Sequence, residues 1–251
     1  MSSLAVLTPI LRGSPVRSVA EAVSVLKAIE DALAPPGAPP VEGIAWFNRV
    51  YLTVTSSVQS SLEGPMFESP AYVAELDVIF ANLYFAALQE YLASARDLPR
   101  AWWPVLSGSK RADVAPLQFA IAGMNAHINR DLPVALATLW GNGRRTPNAL
   151  PALDAQKRDY ERVNTLLAAV ETEVKAWFLS GPWQELAHAF HGVDDLLAMF
   201  SVSEARDAAW VQGEVLSSLG GPGSHLGARF LETFDGVVGL AGRGLMTGTR
   251  R

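Results

Sequence analysis

Two of the four histidines, His127 and His191, are each followed four residues later by an aspartate, Asp131 and Asp195. On an α-helix this spacing places the imidazole and the carboxylate on one face, one turn apart. Such a pair can orient a histidine for acid/base chemistry, or it can share one divalent metal ion. The first pair lies in the polar run Asn125–Asp131, which is therefore the first place to expect chemistry.

The acid/base interpretation makes His127 the group that moves a proton, oriented by Asp77 or Asp131. Asn125, Asn129 and Gln118 would then donate hydrogen bonds to a substrate oxygen and polarise it. The structural alternative is equally supported by the residues: a core histidine whose hydrogen bonds are satisfied within a buried polar network. The sequence leaves both open.

A metal site is the second chemical interpretation, with His127 and Asp131 as ligands together with the segment from His188 to Asp195. Glu185 and His188 also have the Glu-x-x-His spacing of helical di-iron proteins. That site needs a second such pair, and the sequence contains none. The competing interpretation is that Asp195 only caps a short helix and leaves the nearby histidines in solvent.

The element that must position these groups is a central helix over residues 116–133. Its small residues allow close approach of other helices, so we expect it to be buried. Gln118, Asn125 and Asn129 lie on one flank of its apolar stripe, and His127 and Asp131 lie on the other. The stripe itself consists of Leu117, Ile121, Met124, Ile128 and Leu132. Buried polar groups without partners cost roughly 1–3 kcal/mol each, so two polar rows require partners or serve a function.

A second unexpected acidic residue, Asp77, lies in the aromatic stripe of a predicted helix from Ser69-Pro70 to about residue 95. Either Asp77 has a partner in the core or this face borders a cavity. Arg100 and His127 are the candidate counter-ions. Six aromatic residues could wall an apolar pocket there, although aromatic stripes usually belong to the core. They are Phe80, Tyr84, Trp102, Trp103, Phe119 and Trp140.

Helix start and stop signals predict the other boundaries. Ser18 is expected to cap a helix to about Leu33, Asp113 to cap the central helix, and Ser203 to cap a helix to Leu219. Pro133 should kink or end the central helix, because proline lacks an amide donor and crowds the preceding turn. A mobile basic loop is expected at residues 141–148.

Periodicity therefore indicates an all-α fold, a single domain of about eight or nine helices packed around the buried central helix. Residues 1–16 and 241–251 are expected to be loose. The chain has 251 residues, no cysteine and a net charge of −5, with scattered basic residues. This composition argues against thiolate chemistry, nucleic-acid binding and a disulfide scaffold. Phosphate-loop and dinucleotide-binding motifs are missing, so no nucleotide cofactor is expected.

The run Gln118–Leu132, with the segments Leu76–Asn82 and Pro99–Trp102, resembles a helical family that is widespread in actinobacteria and is labelled only as a domain of unknown function. The resemblance extends from about Trp46 to Trp210. It implies a single all-helical domain and draws attention to the central motif and to Asp77, but it implies no activity. The histidines at positions 188 and 191 lie outside the motif.

The first functional hypothesis is a cytoplasmic enzyme that acts on a largely apolar small molecule, as a cyclase, isomerase or lyase of specialised metabolism. Its site would consist of His127, Asp131, Asp77, Asn125 and Asn129. A metal-dependent hydrolase or oxygenase with His127 and Asp131 as ligands is the alternative. A non-catalytic helical protein that binds a ligand or partner is the third possibility. No membrane span is expected, since no uncharged apolar run reaches about 18–20 residues.

Overall fold

The computed structural model describes residues 3–34, 40, 42–94, 96–145, 150–179 and 201–248. This part of the chain is helical and contains no strand, which confirms the predicted all-α class. After a short 3₁₀ helix (Ser3–Leu7), the helices are α1 (Thr8–Leu11), α2 (Val19–Leu33), α3 (Ile44–Leu62), α4 (Pro70–Leu92), α5 (Trp103–Ser107), α6 (Pro116–Ala126), α7 (Leu132–Arg145), α8 (Leu153–Leu179), α9 (Val202–Ser218) and α10 (His225–Leu245). A π-helical turn (His127–Asp131) joins α6 to α7.

The helix formed by α6, the π turn and α7 is the centre of the fold, as predicted. Every residue of α6 except Met124 is buried. α3, α5 and α10 pack around α6, whereas α4 and α9 pack against α7. Gly123 allows a close approach, because a Cβ atom at this position would overlap the ring of Phe47 on α3. Small residues in the motif therefore bring α3 against the polar run.

α8 covers the side formed by α3 and α4, and a buried aspartate holds it there. Asp159 Oδ1 accepts a hydrogen bond from the amide of Glu68 at 2.8 Å, and Oδ2 accepts one from the amide of Ser69 at 2.7 Å. Arg162 pairs with both Asp159 and Glu68 at 2.7 Å. These amides lie at the N-terminus of α4, where a carboxylate is favourable. Asp159 thus caps α4 across the structure, in place of the predicted Ser69 side chain.

Three other boundary predictions are wrong. Ser201, not Ser203, caps α9 by accepting a hydrogen bond from the amide of Glu204. Asp113 pairs with Arg111 instead of capping α6. The helix α7 runs through much of the predicted loop to Arg145, while residues 146–149 lie outside the described part of the chain. The predicted cap Ser18 is confirmed by its contact with the amide of Glu21.

Both chain ends differ from the loose segments that we expected. Near the N-terminus, Leu4, Leu7 and Leu11 are at most 1% exposed within the main core. At the other end α10 continues to Leu245, and the following Met246 is 3% exposed. Apolar side chains at helical spacing bury these ends, although their glycine content and position at the ends of the chain suggested fraying.

One described helix, α4, is long and apolar enough to cross a membrane by those two criteria alone. Tyr84, Phe85 and Leu88 of this helix are at most 1% exposed and belong to the main core. Its hydropathy is therefore of the kind that a core helix also shows.

Candidate functional site

The centre of the candidate site is a buried histidine–aspartate pair on the π turn. Nδ1 of His127 lies 3.0 Å from Oδ2 of Asp131. The indole of Trp102 donates to the same carboxylate oxygen at 2.9 Å, and Arg130 donates to the other oxygen at 2.7 Å. His127 is 2% exposed and Asp131 is fully buried. The carboxylate is therefore held from three sides, and it fixes the orientation of the imidazole.

The π turn results from the position of Pro133 two residues after Asp131. Proline has no amide hydrogen, so it cannot donate to a carbonyl of the preceding turn. Immediately before Pro133, the backbone hydrogen bond spans five residues instead of the four of an α-helix. The amide of Leu132 donates to the carbonyl of His127. The helix continues past Pro133 into α7 instead of ending there. Turns of this kind occur frequently at functional sites.

Aromatic rings surround the imidazole on the sides away from Asp131. The ring of Phe80 stacks on it, with centroids 3.5 Å apart and planes within 8°. Tyr51 meets it edge-on at 4.6 Å, and Phe47 and Trp102 lie within 6 Å. A tight apolar shell disfavours a positive charge on the ring unless a carboxylate compensates.

The protonation states follow from this burial. Burial lowers the pKa of His127, and the hydrogen bond and charge of Asp131 oppose this effect. Burial alone would raise the pKa of Asp131, but the contacts with His127 and Arg130 outweigh it and lower that pKa. Since Arg130 already neutralises Asp131, His127 is the neutral partner at pH 7. Its Nδ1 hydrogen is donated to the carboxylate, and Nε2 carries the lone pair.

Nε2 of His127 is buried and has no hydrogen-bond partner among the described residues. The ring borders an apolar cavity between α3, α4, α6 and α8. The cavity measures about 140 Å³, a volume at which an apolar cavity admits a molecule of roughly benzene size. Its wall is mostly aliphatic and aromatic. A lone pair without a partner, on a residue that lines such a space, is the arrangement expected of a general base.

Asp77 lies on the wall of the same cavity. Its carboxyl is enclosed by protein, and Oδ2 has no hydrogen-bond partner. Burial raises the pKa of Asp77 from 3.8 to about 7. Neither counter-ion predicted from the sequence pairs with Asp77: the ion pairs of the described residues include none between Arg100 and Asp77, and His127 bonds to Asp131 instead.

Tyr51 of α3 is a residue that the sequence analysis missed. Its ring contacts His127 and it lines the cavity with its hydroxyl unpartnered. Burial and then the charge of Asp77 hold its pKa well above the usual value, so the phenol stays protonated. The Thr55 hydroxyl is close enough to lower that pKa slightly, yet the two oxygens do not meet in normal hydrogen-bond geometry. The helical spacing of Phe47, Tyr51, Val54 and Val58 is the sequence pattern that could have indicated this face of α3.

The other polar row of the central helix makes structural contacts. Asn125 donates to the carbonyl of Val238 at 3.1 Å and accepts from Asn129 at 3.1 Å. Gln118 donates to the carbonyls of Leu245 and Thr247 and accepts from the amide of Ala115, each at 2.8 Å. Asn125 and Gln118 thus bind the C-terminal helix α10 to α6. Neither Asn125 nor Asn129 lines the cavity, which contrasts with the substrate role that we predicted for them.

Most of the six aromatic residues expected to wall the pocket lie elsewhere. Phe80 is the only one of them on the cavity wall. Tyr84 and Trp102 are buried behind His127, and Trp103 is 55% exposed. The cavity lies on the α8 side of α3, which periodicity alone did not indicate.

For the metal interpretation, His127 and Asp131 are adjacent, but both oxygens of Asp131 already accept hydrogen bonds. In the part of the chain that the structure describes, no group of three or more candidate ligand side chains converges. The second predicted segment, with Glu185, His188 and His191, lies outside the described residues.

Fold and site together define an all-helical protein with a buried histidine–aspartate pair beside an apolar cavity. The chain belongs to a family of unknown function, DUF5995, whose model matches residues 19–248. The match includes every residue of the candidate site. Neither a curated protein nor a solved structure matches the chain.

Proposed function

We propose that the protein is an enzyme that transfers a proton on a largely apolar small molecule, with His127 as the acid/base group. This chemistry is that of isomerases, lyases and cyclases that need no metal ion. The alternative of a metal-dependent hydrolase or oxygenase has less support, because the lone pairs of Asp131 are engaged by Trp102, Arg130 and His127.

The observation that carries this proposal is the unpartnered Nε2 atom of His127. Leaving a buried polar atom without a partner costs roughly 1–3 kcal/mol, and a purely structural histidine would be expected to avoid that cost. The other ring nitrogen is tied to Asp131. The ring is therefore prepared to accept a proton at one defined atom, on a residue that lines the cavity.

The neighbouring residues have separate roles in this proposal. Asp131 selects the tautomer and stabilises the imidazolium that forms when the proton arrives. Trp102 and Arg130 keep Asp131 ionised and in place. The aromatic shell excludes water, so that a proton moves between His127 and the substrate and not to solvent.

Solvent deuterium provides the test. The full chain and its His127→Gln variant are incubated in D₂O with a lipophilic extract of the cells in which the protein is native. We expect at least one extracted compound to gain deuterium with the unchanged protein, and the rate to fall by roughly 10²- to 10⁴-fold in the variant. Equal incorporation by both proteins, or none by either, would overturn the proposal.

A non-catalytic ligand-binding protein is the second candidate, and the apolar cavity favours it. It predicts that a compound from the same extract is retained by both proteins, recovered after gel filtration, with no exchange of hydrogen. Retention and exchange are measured on the same samples, so the two candidates are separated in one experiment.

A further inference from the structure

Three residues that line one apolar cavity each carry a buried polar atom without a hydrogen-bond partner. The atoms are Nε2 of His127, the hydroxyl oxygen of Tyr51 and Oδ2 of Asp77. Tyr51 and Asp77 lie on neighbouring helices, close enough for an ionised Asp77 to raise the pKa of the Tyr51 hydroxyl. The phenol donates, and so does the Asp77 carboxyl below its pKa of about 7, whereas the neutral imidazole accepts at Nε2. A matching ligand must therefore offer one acceptor oxygen and, beside it, one removable proton.

The charges on the cavity wall favour a neutral ligand. Among its lining residues Arg206 is the cationic one, and it is engaged by the Asn164 side chain and the Tyr160 carbonyl at 2.7 Å each. Its guanidinium also lies 4.1 Å from the centroid of the Tyr160 ring. Among the described residues of this wall, an anionic ligand would find no cation other than Arg206, which is already engaged, and it would meet the carboxyl groups of Asp77 and Asp159.

The shape of the cavity favours a narrow ligand. Phe47 and Val58 of α3 both line it, and their separation along the helix is roughly 16 Å at about 1.5 Å per residue. A volume of about 140 Å³ spread along this wall leaves a slender space. A short hydrocarbon chain or a flat ring fits, and a bulky globular molecule does not.

We propose that the substrate is a neutral, slender carbonyl compound, whose oxygen lies between Tyr51 and Asp77 and whose adjacent C–H bond faces His127. This inference rests on the proposed proton-transfer function and names its substrate class. It also adds Tyr51 as a catalytic residue, since its hydroxyl would contact the reacting oxygen.

The chemical step balances without a co-reactant. Nε2 of His127 takes a proton from the carbon next to the carbonyl, and the electrons of that C–H bond form a carbon–carbon double bond. The carbonyl π electrons move to the oxygen, where the Tyr51 hydroxyl and the Asp77 carboxyl donate hydrogen bonds to the developing charge. The imidazolium, stabilised by Asp131, then returns the proton to the same carbon or, where a carbon–carbon double bond adjoins that carbon, to the far carbon of the double bond. Return to the far carbon moves the double bond into conjugation with the carbonyl and is an isomerisation.

Four eight-carbon probes test the ligand class on the full chain: methyl hexyl ketone, octane, octylamine and octanoate. Binding is measured by NMR, and the carbonyl stretching band of the bound ketone is measured by infrared spectroscopy. We expect the ketone to bind about tenfold more tightly than octane, as one or two added hydrogen bonds would give. We also expect its carbonyl band to shift to lower frequency than in water-free solvent.

Variants of Tyr51 and Asp77 test whether these two donors cause the shift of the carbonyl band. Tyr51→Phe and Asp77→Leu should each remove part of the band shift, whereas Asp77→Asn, which keeps a donor, should retain it. Tyr84→Phe is the matched control, because Tyr84 is a buried tyrosine whose hydroxyl lies 3.5 Å from Asn48 and does not line the cavity. It should leave the band unchanged. A structural role for Tyr51 would change stability without changing this band.

Three results would overturn the inference. Tightest binding of octylamine, lost in Asp77→Asn, would make Asp77 the counter-ion of a cationic ligand. Equal binding of ketone and octane without a band shift would show that the polar atoms do not hold the ligand. Failure of all four probes to bind would remove the cavity as a ligand site. Binding of the ketone without deuterium exchange in D₂O would instead leave the carbonyl site standing and remove the proton-transfer function.

Discussion

The two polar flanks of the central helix differ in whether their polar atoms have hydrogen-bond partners, although both flanks are buried and carry similar side chains. On one flank, Gln118 and Asn125 bond to backbone carbonyls of the C-terminal segment. On the other, His127 and Asp131 leave Nε2 unpaired beside a cavity. A satisfied buried network stabilises one arrangement of helices, whereas an unsatisfied atom costs stability. The difference separates residues that hold the fold together from residues available for chemistry.

The largest expected effect comes from Asp131→Asn, which tests the chemical flank. The amide cannot serve as the charged acceptor for Nδ1–H, so the proton is expected to shift to Nε2 and the base to be lost. We expect the rate of deuterium transfer per folded molecule to fall by roughly 10²- to 10⁴-fold. Imidazole nitrogen chemical shifts report the tautomer. An unchanged tautomer together with an unchanged rate would place His127 in a structural network instead.

Asp77→Asn should raise the free energy of unfolding by an amount that depends on pH. The folded-state pKa of Asp77 is about 7, above the ordinary value of 3.8, so the folded protein holds a proton that the unfolded chain releases. The destabilisation caused by ionising buried Asp77 is therefore absent below about pH 4. It grows between pH 4 and pH 7 and is constant above pH 7. We expect the variant to be more stable by roughly 2–4 kcal/mol at pH 8 and nearly unchanged at pH 4.

Urea unfolding at the two pH values measures this difference. Glu75→Gln is the control, because Glu75 is an exposed carboxylate on the same helix. A loss of stability at pH 8 would mean that Asp77 is ionised and paired in the folded protein.

Gln118→Ala tests the structural flank and should lower stability, in contrast to the gain expected for Asp77→Asn. It removes three hydrogen bonds of 2.8 Å each, and the expected loss of stability is roughly 2–3 kcal/mol. Because Gln118 does not line the cavity, the rate of deuterium transfer per folded molecule should not change. A loss of rate as large as that for Asp131→Asn would abolish the distinction between the two flanks.

Asn129→Ala should have the smallest effect. Asn129 is half-buried and donates one hydrogen bond, to Asn125 at 3.1 Å. We expect a loss of about 0.5–1 kcal/mol in thermal unfolding and no effect on activity. A strong effect on activity would restore the substrate role that we first predicted for this residue.

Several elements could be predicted from local sequence because local physics determines them. Ser18 caps α2, and the start of α4 at Pro70 follows from the fixed φ angle of proline. The burial of the central helix follows from its apolar stripe and small residues. Caps supplied across the structure could not be predicted, since the contact of Asp159 with the amides of Glu68 and Ser69 joins residues about 90 positions apart.

In the candidate site, too, some contacts follow from local sequence and others depend on tertiary packing. Helical spacing alone places His127 and Asp131 in contact, because residues four apart share one face. The roles of Trp102, Tyr51 and Asp77 depend on which helices pack together, and no local pattern contains that information.

Local patterns in the chain suffice to specify the all-helical class, the buried central helix and the His127–Asp131 pair, because periodicity and spacing act over a few residues. Which polar flank finds hydrogen-bond partners depends on how the helices pack. The position of α10 supplies carbonyls to one flank, while the packing of α3, α4 and α8 leaves a cavity beside the other. Whether a buried polar atom finds a partner depends on residues distant in the chain, and therefore on the packing of the whole fold.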